Sequence, residues 1–199
     1  MRLSLMATAA SVLLAACTHV PAASSPADAF FAALSTHCGK AYAGRIVANE
    51  PKPATPDAFA GKPLVMHVRE CGADTLRIPF HVGDDRSRTW VVARTTTGLR
   101  LKHDHRHEDG APDALTMYGC DTRAPGSASR QEFPVDAESI ALFEREGSSA
   151  SVTNTWAMEL SAGEFVYELS RPGGRLFRAA FDLSRPVPAP PPPWDAQSP

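Results

Sequence analysis

The chain has no apolar run long enough to cross a membrane as a helix, which takes roughly 18 to 20 residues. The longest, Leu3–Leu14, is too short to serve as a stable helical anchor. Excess charge of one sign is missing as well. Lysine and arginine number 20 against 22 acids, for a formal net charge of −2, and so mild a balance offers no basic face for the phosphates of DNA or RNA. Nucleic acid is therefore not an expected partner. The familiar catalytic signatures are also absent: no G-x-S-x-G, H-E-x-x-H, G-x-x-x-x-G-K-[ST] or G-x-G-x-x-G occurs, and no grouping of Ser, His and Asp stands above chance. That absence leans the reading away from an enzyme. There are only four cysteines and no Cys-x-x-Cys, so a redox dithiol or a zinc-thiolate centre has little support.

What is present begins at the N-terminus. MRLSLMATAASVLLAAC sets one positive charge at Arg2 before an apolar stretch and then small residues ending at Cys17, the layout of an export signal. Leu14-Ala15-Ala16-Cys17 resembles the lipobox of bacterial lipoproteins, a resemblance confined to residues 1–17. It implies removal of residues 1–16 and lipidation of Cys17. Thr18, rather than Asp, after that Cys implies the periplasmic face of the outer membrane. Several acyl chains on one Cys anchor stably, each buried methylene contributing about 0.8 kcal/mol, so the membrane is an expected partner. Residues 17–25 form a short flexible tether rich in Pro, Ala and Ser.

Export places Cys38, Cys71 and Cys120 in an oxidising compartment. Cys38 closes an expected helix and Cys71 ends an expected strand, which favours a Cys38–Cys71 disulfide; pairings with Cys120 stay open, since connectivity does not follow from sequence. The helix starts at Ser25-Pro26-Ala27-Asp28, an N-cap, a proline at the first helical position and an acid in the first turn. Gly39 is its expected stop.

Beyond it the apolar period becomes two. Lys62–Cys71, Thr75–Gly83, Thr89–Thr95 and Gly98–His107 alternate as strands, as do Val152–Leu160, Glu164–Arg171 and Arg175–Leu183, with weaker candidates at Ala114–Cys120 and Ala128–Phe133. A short helix over Asp136–Glu144 interrupts them. The tight connections Ser161-Ala162-Gly163 and Pro172-Gly173-Gly174 suit antiparallel hairpins. The expected fold is all-β: an antiparallel up-and-down barrel of about ten strands spanning residues 26–184, with one short N-terminal helix and one inserted helix. Residues 185–199, RPVPAPPPPWDAQSP, are expected to form an extended solvated tail with Trp194 as an incidental aromatic.

Within LKHDHRHEDG, His103, His105 and His107 continue the face of Leu99 and Leu101. Residues two apart on a strand sit about 7 Å apart on one face. Three readings stand: solvated histidines at a hairpin tip, the lining of a ligand mouth, or a metal pair suited to zinc, copper or nickel. His67 and His81 are candidate further ligands. Trp90, Trp156 and Tyr167, with Phe165, either line a ligand cavity or fill a core, because small barrels are packed and slightly larger ones hold one small ligand. Arg77, Arg94 or Arg178 facing such a cavity would point to an acidic ligand. The turn Gly83-Asp84-Asp85-Arg86-Ser87-Arg88 reads as a solvated hairpin.

The strand meander with its capping helix resembles the calycin barrels, including lipocalins. The lipocalin Gly-x-Trp has only a distant counterpart here in Tyr42-Ala43-Gly44. CGKAYAGR, FHVGDDRSRTW and GLRLKHDHRHEDG resemble stretches of exported bacterial proteins, which implies no particular activity. The expected function is that of a lipid-anchored envelope protein whose barrel binds a small apolar or amphipathic ligand. The alternatives are a metal-binding protein or metalloenzyme built on His103, His105 and His107, and an assembly lipoprotein with no small ligand.

Overall fold

A computed structural model describes residues 24–55 and 58–196. The leader, Cys17 and most of the tether lie outside them. Helix α1 (Pro26–Ser35) starts as its residues require: the Ser25 hydroxyl accepts from the Asp28 N–H at 3.0 Å and Pro26 opens the first turn. Phe30, Phe31 and Leu34 are buried, so the helix presents one apolar face to the core.

The strands follow as β1 (Ala41–Glu50), β2 (Leu64–His67), β3 (Glu70–Cys71), β4 (Thr75–Val82), β5 (Asp85–Arg94), β6 (Leu99–His105), β7 (Tyr118–Asp121) and β8 (Arg130–Pro134). After helix α2 (Ala137–Arg145) come β9 (Thr155–Leu160), β10 (Glu164–Arg171) and β11 (Arg175–Val187). Every pairing is antiparallel, in the order β7-β6-β5-β4-β2-β1-β11-β10-β9-β8, with β3 also on β4. Because β1 pairs with both β2 and β11, the meander curls round on itself into a nearly closed up-and-down barrel. The expected fold class is the one observed.

Strand β1 had no counterpart among the expected strands. Its burial alternates only weakly and Val47 is exposed on it, so the period-2 signal is faint; its place comes from its two neighbours rather than from its own pattern. At Gly44 the barrel wall is tight, since a Cβ there would lie 2.5 Å from the Phe181 ring.

The remaining seam lies between β7 and β8, which share no ladder among the described residues. Helix α2, capped by the Asp136 carboxylate accepting from the Ser139 N–H, covers the free edge of β7. The Ser139 hydroxyl accepts from Gly119 N at 2.9 Å and donates to Gly119 O at 2.8 Å. Both backbone groups of an edge residue are thereby satisfied.

The Cys38–Cys71 disulfide forms as expected, closing a separation of 33 residues between the end of α1 and β3. Cys120 stays free and buried, and burial pushes its thiol pKa up to about 12.

Residues 185–196 do not form a solvated tail. Arg185–Val187 complete β11, with Pro186 opposite Tyr42 and Val187 opposite Ala41; the proline is tolerated because it falls near the strand's end, beyond a register shift. Farther on, Trp194 N donates to Arg86 O at 3.1 Å and Arg86 Nη1 donates to Pro192 O at 2.9 Å. Asp195, its side chain only 6% exposed, pairs with Arg77. The segment is a strap on the outside of the barrel. On the outward faces of β4, β5 and β6, Pro79, His81, Thr89 and Asp104 are all buried, which an uncovered face would not allow. Extended proline-rich chain loses little entropy on docking, and Arg86 of the β4–β5 hairpin supplies a donor for the Pro192 carbonyl.

Candidate ligand-binding cavity

Helix α1 plugs one mouth of the barrel. Arg94, at the end of β5, pairs with Asp28 of the helix and lies 4.3 Å from the Phe31 ring centroid. The opposite mouth is ringed by the start of β5, the segment between β6 and β7, and the β10–β11 turn. It opens into a cavity of about 390 Å³, within the range that holds one small ligand.

The cavity is aromatic at its base. Trp90 stacks on Phe80 at 4.8 Å and on Tyr167 at 4.5 Å, centroid to centroid, and Trp156 closes in beside His103 at 5.0 Å. Trp90, Trp156 and Tyr167, the aromatic residues that the strand phases singled out, all line it. So do His103 and His105. Phe165 instead lies in the packed core, 0% exposed, near Trp90 and Phe181.

His103 is 3% exposed and its tautomer follows from its partners. Nδ1 lies 3.2 Å from the Tyr118 carbonyl oxygen, which can only accept, so Nδ1 carries the proton. Nε2 is then the acceptor for the Tyr167 hydroxyl at 2.9 Å. Burial, with a smaller push from His105, lowers its pKa to about 3. Burial likewise lowers His105 to about 4, with Arg88 adding repulsion, and raises Tyr118 to about 12. The Tyr118 hydroxyl lies 3.2 Å from His105 Nε2. Two neutral imidazoles and two protonated phenols thus supply polar points in a mostly apolar wall.

His107 departs from the other two. It falls after β6 ends, its side chain is 59% exposed, and it faces Asp113 at 3.9 Å. Elsewhere on the barrel, the His67 pKa is lowered chiefly by its own burial, and His81 lies on an outward face, its buried Nε2 without a hydrogen-bond partner among the described residues. Among the described residues, no group of three or more His, Cys, Asp or Glu is placed to hold a metal ion.

The arginines at the mouth are not those anticipated. Arg77 points outward to Asp104 and Asp195, Arg178 outward to Glu159 and Glu168, and Arg94 sits at the plugged end. Arg88, Arg171 and Arg175 line the cavity instead. Strand phase held the signal: Arg88 alternates with Trp90 and Val92, Arg171 with Tyr167 and Leu169, Arg175 with Phe177 and Ala179. The turn from Gly83 to Arg88 is therefore only partly solvated, because Arg88 folds inward, 5.5 Å from the Phe59 ring centroid and paired to Asp85 at 2.5 Å. No family model, curated protein or solved structure matches the chain.

Proposed function

We propose that the protein is a lipid-anchored envelope protein that holds one small apolar or amphipathic ligand in the open mouth of its barrel. The observation that carries this is the cavity itself: an aromatic pocket with a few fixed polar groups. The anchoring half of the reading rests on the lipobox ending at Cys17. Such a protein retains, carries or senses its ligand at the membrane surface.

Native mass spectrometry of the protein purified from a bacterial envelope is the test. One small-molecule adduct per chain is expected, and it should disappear in Ser151→Trp, which sets an indole in the mouth. If no adduct is found and no apolar probe is taken up, the reading fails. Metabolic labelling with an alkyne fatty acid should mark the chain, and Cys17→Ser should abolish the label.

A further inference from the structure

We infer that the ligand is a small amphipathic monoanion, its carboxylate or equivalent acid group held by Arg171 and Arg175 and its apolar body seated over Trp90 and Tyr167. This rests on the cavity reading and specifies the chemistry of its occupant.

The two guanidiniums flank one turn, Arg171 at the end of β10 and Arg175 at the start of β11, paired across the hairpin. Both are half-buried and line the mouth. Their bonds go to neutral oxygens. Arg171 Nε donates to Asn154 Oδ1 at 2.5 Å, and Arg175 Nη1 donates to Asn49 Oδ1 at 2.7 Å and to Glu50 O at 3.1 Å. Neither forms an ion pair among the described residues, although nearly every other half-buried arginine of the barrel does: Arg77, Arg88, Arg94, Arg130 and Arg178 each have a carboxylate within reach. The Nη groups of Arg171 make no hydrogen bond among the described residues. Burial in the first place, with a smaller push from the neighbouring Arg175, lowers the Arg171 pKa.

An arrangement of this kind is costly unless an anion completes it. The planar fork of a guanidinium matches a carboxylate in particular. The charge count points to one negative group rather than several. Arg88 is already neutralised by Asp85, and Asp113 lies on the same lining, its Oδ1 accepting from Leu115 N, where it repels a second charge. Below the arginines the wall is Phe177, Leu169, Trp156 and Tyr167, so the rest of the ligand must be apolar and compact.

A matched pair of fluorescent probes separates the two levels of the inference: 8-anilinonaphthalene-1-sulfonate and N-phenyl-1-naphthylamine share one skeleton and differ by the sulfonate. Binding to the intact protein is read by probe emission and by energy transfer from Trp90 and Trp156. The anion should bind at least tenfold tighter than the neutral probe, with a preference that shrinks as salt rises. Arg171→Gln and Arg175→Gln should each cut that preference roughly tenfold, as loss of one charge-assisted contact implies. Arg171→Lys should restore part of it, and thermal melts report that each variant folds. Decanoate or 1-naphthoate should displace the anionic probe. If the neutral probe binds as tightly as the anion, or neither carboxylate displaces, the acid-group assignment is wrong and the cavity reading stands; if neither probe binds, the cavity reading itself falls.

Discussion

The Tyr167 hydroxyl donates to His103 Nε2 at 2.9 Å inside the barrel, and this bond ties β10 to β6 across the cavity wall. Both partners are buried, and His103 has no other donor for that nitrogen among the described residues. Removing the hydroxyl leaves a buried imidazole nitrogen without a partner, which costs about 1 to 3 kcal/mol. Tyr167→Phe should lower the denaturant midpoint accordingly with an unchanged slope, and an unaltered midpoint would show that water satisfies the site.

The same burial makes stability depend on pH with a definite sign. His103 is lowered to about 3, and His105 and His81 to about 4, each chiefly by burial. A histidine whose folded pKa is depressed adds stability above its unfolded pKa of about 6.5, and that stability is lost as pH falls toward the folded value. His103 alone should cost about 2 to 3 kcal/mol on going from pH 7 to pH 4.5. Unfolding free energy should therefore fall steeply between pH 6.5 and pH 4, and His103→Gln should flatten the slope while being less stable at pH 7. A flat profile in the parent would mean that the imidazoles reach water.

The disulfide should be worth a measurable part of the fold. Cys38 and Cys71 are 33 residues apart, and closing a loop of that length stabilises by about 3 to 4 kcal/mol in the chain-entropy model. Cys38→Ser with Cys71→Ser should lower the unfolding free energy by that amount. Hydrogen exchange should speed first in α1, the element the bond holds in the mouth.

The barrel was legible in the alternation of β4, β5, β9, β10 and β11, because a strand with one face on the core writes its phase in apolar residues. The two helices were legible in their caps, Ser25 and Asp136. What escaped were places where a partner, rather than the local pattern, decides. Strand β1 owes its place to β2 and β11, and the proline-rich strap to Arg77 and Arg86 on distant strands. Trp90, Trp156 and Tyr167 could be placed inward by phase, and so could His103 and His105. The same phase set His107 inward as well, and there it misled, since the strand stops at His105 and His107 turns outward. The mouth arginines carried the same phase signal, but charged residues at strand ends read as solvent-facing until the opposite wall is known.

Gly119 is a second point where the backbone leaves no choice. Its φ is +146°, and a Cβ there would lie 2.0 Å from the Leu101 carbonyl oxygen, against backbone that cannot shift without breaking the β6–β7 ladder. Gly119→Ala should destabilise by about 3 kcal/mol or more, combining strain with a lost edge contact to Ser139. Chemical denaturation checks this, with Gly163→Ala, whose Cβ meets nothing within 4 Å, as the mild comparison.

The strap gives the last prediction. Arg77 donates to Asp104 at 2.8 Å and also pairs with Asp195; Asp104 in turn accepts from Arg106 at 2.7 Å. Asp195 thus closes a chain of alternating charges on the outer face of β4 and β6, beneath a stretch whose Pro193 is buried. Truncation after Pro191 removes the carboxylate and uncovers Thr89, His81 and Asp104. Arg77 keeps one strong partner in Asp104, so the barrel should still fold, but with stability lower by about 1 to 3 kcal/mol. Amide exchange should rise in β4 and β5 on that face while β9 and β10, on the other wall, keep their protection. Asp195→Asn should give a smaller loss that shrinks in high salt, because Arg77 is partly exposed and screened. Unchanged exchange in β4 and β5 after truncation would show that the strap does not hold that face in solution.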